Sequence, residues 1–158
     1  MIKRELYMNR IRPFIGGELI KVMTGIRRSG KSVMLELIKE ELAEAGVAPS
    51  QMISINFEDM RYSHLQTATA LHDEIIKRAE GIEGKAYLFF DEIQEVEGWE
   101  KCVNSLRVAL DCDIYITGSN AKLLSGELAT YIGGRYVEFV IYPFSFAEFL
   151  ELYHTIAP

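Results

Sequence analysis

The sequence predicts an α/β protein, a three-layer sandwich built around a mainly parallel, five-stranded sheet. Two observations carry that expectation. Short apolar, strand-like runs alternate along the chain with amphipathic helical stretches, the pattern of a parallel sheet covered by helices on both faces. Between the first such run and the first strong helix lie Gly25, four residues, Gly30, Lys31 and Ser32, the spacing of a phosphate-binding loop. The 158 residues, 49% of them hydrophobic, suffice for one domain with a real core, spanning 1–158.

Each element has a local reason. Residues 2–12 read as a short, weakly periodic helix ended by Pro13, and Gly16-Gly17 turns the chain into a first strand at about 19–24. Met34, Leu35, Ile38, Leu42 and Ala45 recur at helical spacing, with glutamates on the other face. Gly46 stands where a left-handed cap belongs, and Pro49 prevents continuation. Met52 to Phe57 alternates as a strand, and Thr67 caps a helix of about 68–80. Tyr87-Leu88-Phe89-Phe90 is continuously apolar, as expected of a strand buried on both faces. Trp99, Cys102, Val103, Leu106, Ala109 and Leu110 mark the next helix, with Trp99 packing at its start rather than stacking on a base. Ile114-Tyr115-Ile116 is the fourth strand, followed by a helix of about 121–130 that Gly133-Gly134 breaks. Tyr136 to Ile141 is the fifth strand, and Ser145 with Glu148 has capping-box spacing for a last helix.

Charge is unevenly spread. The net value is −6, but residues 1–31 sum to +6 and the remainder to −12. The basic segment contains the loop, so a nucleotide accounts for much of it. Lys3, Arg4, Arg10 and Arg12 lie outside the loop, either as a nucleic-acid contact or as a solvated face. The acidic remainder argues against a broad DNA-binding surface, and neither a DNA nor a protein partner is indicated. Cys102 and Cys112 form no metal pattern and read as buried thiols. His64, His72 and His154 are too scattered for a metal triad. No apolar run approaches the ~18 residues of a membrane span. The N-terminus lacks a signal-peptide pattern, so a cytoplasmic location is expected.

Chemistry concentrates in two places. The loop stretch Gly25, Ile26, Arg27, Arg28, Ser29, Gly30, Lys31, Ser32 and Val33 offers backbone N–H groups to a phosphate, because glycines let the ligand approach and the helix start adds its dipole. Lys31 adds a point charge for β/γ-phosphates, and Ser32 a hydroxyl for magnesium. Arg27 and Arg28 either contact phosphate or point to solvent. Asp91-Glu92 ends the third strand, at the edge where a parallel sheet presents its ligand site. Asp91 suits the magnesium shell, and Glu92 the orientation and deprotonation of water. Ser119 and Asn120 follow the fourth strand; one of them senses the γ-phosphate or simply caps a helix. Arg135 precedes the fifth strand, so it belongs at the opposite sheet end. It is either an arginine finger for a neighbouring subunit or a surface arginine.

Together these motifs resemble the AAA-like ATPases of archaea and bacteria called AAA family 14, usually followed by a DUF4143 domain. The resemblance covers residues 10 to 152. It rests on Gly25–Ser32, the run from Phe89 to Gln94, Trp99, Thr117-Gly118-Ser119-Asn120, Gly134-Arg135 and the run from Pro143 to Phe149. It implies a P-loop NTPase of the additional-glutamate type, with sheet order 5-1-4-3-2, ATP and Mg2+ as ligands, and Glu92 as base. It also implies that Arg135 acts between subunits of a homo-oligomer. The chain stops at Pro158 where the family continues, as a natural short form or the N-terminal part of a longer protein. The expected activity is ATP hydrolysis coupled to conformational change. The alternatives are a nucleotide-gated module with negligible hydrolysis and a small-molecule or nucleotide kinase. A GTPase is disfavoured by the lack of an Asn-Lys-x-Asp motif.

Overall fold

The computed structural model describes residues 4–119, 123 and 132–143. The expected helices at 121–130 and after Ser145 lie outside them, apart from Leu123. In chain order the elements are α1 (Glu5–Ile11), β1 (Ile20–Thr24), α2 (Lys31–Glu44), β2 (Met52–Asn56) and α3 (Ala68–Ala79). They continue with β3 (Ala86–Asp91), α4 (Trp99–Ala109), β4 (Cys112–Gly118) and β5 (Tyr136–Val140). The five strands form one sheet in the order β2-β3-β4-β1-β5, every pair parallel, which is the order 5-1-4-3-2 that the resemblance implies.

Strand alternation divides the core in two. Ile20, Val22, Ile55, Leu88, Phe90, Ile114 and Ile116 pack with Leu71 and Ile75 of α3 and Val103 and Leu106 of α4. Met23, Phe89, Tyr115 and Phe139 face the other way, onto Met34, Leu35 and Ile38 of α2 and Met8 and Ile11 of α1. Phe89 and Tyr115 stack across the strands at 5.0 Å between ring centroids. Burying each such side chain contributes roughly 1.5–3 kcal/mol, in keeping with the continuous apolar run Leu88-Phe89-Phe90 of β3. Trp99 is buried in the first core, as a packing residue.

Two boundaries differ from expectation, those of α1 and β4. α1 ends at Ile11 and continues as a 3-10 turn, Arg12–Phe14, with Pro13 inside it. Helix α2 begins at Lys31 with Gly30 as its N-cap, as expected, and also buries Leu37. Leu37 is covered because α1 lies across α2, where Met8 meets it and Arg12 bridges Glu5 and Glu41. β4 is longer than its apolar triplet, because pairing with both β3 and β1 extends it to Cys112 and Gly118.

The amino end of the sheet is tied by a buried charged network. Lys21 Nζ donates to the Asp113 carboxylate and to Gly17 O (2.9 Å). Asp113 also accepts from Gly16 N (2.8 Å) and from the Tyr115 hydroxyl (2.5 Å). Desolvation lowers the Lys21 pKa, against the pull of Asp113. With its partners satisfied, the pair fixes the turn into β1 instead of leaving an uncompensated charge. Among the described residues, no helix is long and apolar enough to cross a membrane.

Candidate nucleotide site

The loop sits where β1 hands over to α2. Gly30 is the N-cap of α2 at φ 98°, ψ 20°, in the left-handed region that favours glycine. A Cβ on Gly25 would collide with the carbonyl oxygen of Ile141 and lie 2.7 Å from Ser29 Oγ. Both glycines are therefore sterically required. Arg28 is also left-handed, at φ 64°. Lys31 is buried, and its Nζ donates to Gly25 O (2.7 Å) and Ile26 O (3.2 Å). The same nitrogen lies 3.7 Å from Glu92 Oε1. A cleft of about 810 Å3 opens over the loop, lined from Arg27 to Val33 and by Arg4, Glu58 and Glu92. Ile26 is exposed at its edge, and Arg27 reaches Glu58 (3.2 Å) as an exposed pair.

The acidic pair ends β3. Ser32 Oγ donates to Asp91 Oδ2 (2.6 Å), joining the start of α2 to the strand end. Thr117 on β4 donates its hydroxyl to Asp91 Oδ1 (2.5 Å) and accepts the Glu92 N–H (2.9 Å). Glu92 itself is left-handed, at φ 58°, ψ 50°, so the chain turns sharply as it leaves the strand. Its Oε2 accepts from Gln94 Nε2 (2.5 Å). Lys31, Ser32, Asp91 and Glu92 are thus assembled at one place.

Ser119 lies at the same carboxyl edge, just past β4, and is half-buried. Asn120 falls outside the described residues. Arg135 is exposed, and its carbonyl accepts the N–H of Ile20, the first residue of β1. That puts it at the amino end of the sheet, away from its own loop. Among the described residues no group of three His, Cys, Asp or Glu side chains could hold a metal ion. Cys102 and Cys112 are unpaired thiols, the first buried and the second half-buried.

Three residues of the site were not legible as such. Arg4 is not a solvated charge: it is 2% exposed and donates to Ser29 O and Tyr142 O, both at 2.6 Å. Thr117 and Gln94 stand inside the quoted motifs; the pairing of β3 with β4 brings Thr117 to the acidic pair, while Gln94 reaches Glu92 from two residues along the chain.

A family model described as an AAA domain (AAA_14) matches residues 17–150. The chain belongs to this AAA domain family. An uncharacterized protein from Haemophilus influenzae is 48% identical over 151 residues, covering 96% of this chain and 38% of its own length. The chain therefore spans well under half of that relative. The AAA fold recurs in a closed-state reconstruction of Hsp104 with ATPγS and FITC casein. That match has a TM-score of 0.67 at 16% identity, over 99% of this chain and 30% of that one. AMPPCP-bound DnaA from Aquifex aeolicus is similar at TM-score 0.64 and 16% identity, over 99% of this chain and 52% of the other. At those identities the likeness is one of fold. AAA family and fold together support nucleotide binding by this chain.

The donor set fits a magnesium nucleotide. Gly25 and Gly30 leave the backbone uncovered at the two ends of the loop, and Ser29 Oγ is buried without a hydrogen-bond partner. Ser32 and Asp91 present a hydroxyl and a carboxylate side by side, the hard oxygen donors that magnesium selects.

Proposed function

We propose that the chain is a magnesium-dependent ATPase core that hydrolyses the β–γ phosphoanhydride of ATP with Glu92 as general base. The observation that carries this reading is the convergence of Lys31 and Ser32, at the start of α2, with Asp91 and Glu92, at the end of β3. The loop N–H groups and Lys31 hold the phosphates. Ser32 and Asp91 would hold magnesium, which would supply positive charge to the phosphate oxygens. Glu92 takes a proton from water as the water oxygen attacks the γ-phosphorus. The bond to the bridging oxygen breaks, and ADP and phosphate result. Ser119 or Asn120 steadies the γ-phosphate from the end of β4. Arg135 lies at the far end of the sheet, which favours a role in the site of a second copy over its own. Turnover then changes the conformation of a partner or of the assembly.

The test is Glu92→Gln. It should bind ATP with wild-type affinity and release no phosphate, and unchanged turnover would remove Glu92 as the base. One observation favours a second reading, a nucleotide-gated module: both carboxylate oxygens of Glu92 already face a cationic or amide partner. Nucleotide affinity without phosphate release by the wild-type protein, even when self-associated, would support that reading instead.

A further inference from the structure

Glu92 leaves β3 in a left-handed conformation, so the strand does not by itself aim its side chain. Its backbone is fixed through the Thr117 hydroxyl, and its carboxylate meets two partners. Oε1 faces Lys31 at 3.7 Å, and Oε2 accepts from Gln94 Nε2 at 2.5 Å. Lys31 is the group that an arriving phosphate claims. Once it turns to the phosphate, Gln94 is the remaining described side chain holding the carboxylate.

We propose that Gln94 is a positioning residue for Glu92, fixing one carboxylate oxygen so that the other faces the phosphate loop. This rests on Glu92 being the base. Gln94 lies in the 3-10 turn Ile93–Glu95, which directly follows Glu92 and is anchored by buried Ile93. The carboxamide has one sensible orientation. Reversed, it would set its oxygen against the Glu92 oxygen, two acceptors with no proton between them. The chosen orientation leaves Gln94 Oε1 buried with no hydrogen-bond partner, a cost that proteins rarely bear without a reason. The reason is the commitment of the amide nitrogen to Glu92.

The neighbouring strand makes room for this arrangement. A Cβ on Gly118 would collide with Gln94 Oε1 and lie 2.5 Å from the Leu123 side chain. Gly118 is therefore small so that the carboxamide can sit beside the end of β4. The segments Asp91–Gln94 and Thr117–Gly118 then act as one device. Thr117 sets the backbone of Glu92, and Gly118 admits the side chain that sets its carboxylate.

The experiment compares Gln94→Met, which keeps length and removes the donor, with Gly118→Ala, which displaces the carboxamide without altering it. Steady-state hydrolysis of Mg·ATP is read alongside ATPγS affinity and thermal midpoint, with wild type and Glu92→Gln as controls. Gln94→Met should lower kcat at least tenfold while affinity and midpoint stay within error of wild type. A folded Gly118→Ala should match it. Gln94→Met turning over at the wild-type rate would overturn the assignment, as would a loss of affinity and midpoint in step with kcat. In either case an inactive Glu92→Gln would leave the base reading standing. If Glu92→Gln retains wild-type turnover, or the wild type has none, the base reading fails and the role of Gln94 goes with it.

Discussion

The hydroxyl of Thr117 donates to Asp91 Oδ1 across the β3–β4 seam, and the same oxygen accepts the N–H of Glu92. One side chain thereby holds the Asp91 carboxylate and the backbone of Glu92. Thr117→Val keeps the shape and strips the bonds, leaving a buried acceptor and a donor unpaired. It should cost about 1–3 kcal/mol in urea unfolding and weaken magnesium-dependent nucleotide binding, whereas Thr117→Ser should restore both.

Two glycines separate crowding from backbone strain. Gly25→Ala puts a methyl group into the Ile141 carbonyl, so the loop must move. Titration with a fluorescent ATP analogue should show at least a tenfold loss of affinity. Gly46, at φ 100° beyond the end of α2, has nothing within 4 Å of a Cβ. Gly46→Ala should lower stability by about 1 kcal/mol and leave nucleotide affinity unchanged.

Arg4 ties the N-terminal segment to the loop carbonyl of Ser29 and to Tyr142, where the chain leaves β5. Its guanidinium also lies 4.6 Å from the centroid of the Tyr7 ring. Arg4→Ala would leave those carbonyls without their charged donor and open the floor of the cleft. Loss of roughly 2–3 kcal/mol of stability is expected, together with faster hydrogen exchange at Ser29 and Gly30.

Alkaline pH should destabilise the fold through its thiols. Burial pushes Cys102 up to about 12 from the usual 9.0, and Cys112 to about 11, where Asp113 and Asp111 add to burial. Tyr115 is raised as well, by burial first and then by Asp113. The folded state therefore keeps protons that the unfolded chain releases. The stabilisation is complete below pH 9 and is lost as pH rises towards the folded values. Urea unfolding between pH 8 and about 11 should show this decline. Cys102→Ala should flatten it by up to about 1.4 kcal/mol per pH unit, although it lowers stability at neutral pH.

What could be read from residue order was whatever depends on neighbours in the chain. Gly25 to Ser32 announces itself because a turn, a close approach and a helix start are local demands. Asp91 follows an apolar run, so its place at the strand end could be expected. Arg4 could not be assigned, because its partner Tyr142 lies 138 residues away. Thr117 depends on strand pairing, which no local periodicity encodes, and Gln94, only two residues from Glu92, depends on the sharp turn that left-handed Glu92 makes. The charge of Lys21 inside an apolar run makes sense only once Asp113 faces it from β4.

The placement of β1 also bears on how the chain is made. Its hydrogen-bonded neighbours are β4 and β5, both of which come much later in the chain. Lys21 precedes Asp113 by 92 residues. At about 5–20 residues per second, a ribosome needs on the order of ten seconds to supply that partner. Until then the first strand has both edges bare, and its phosphate loop has no floor to close upon. Among the described strands, both neighbours of β1, the strand that leads into the phosphate loop, are therefore made long after the loop itself.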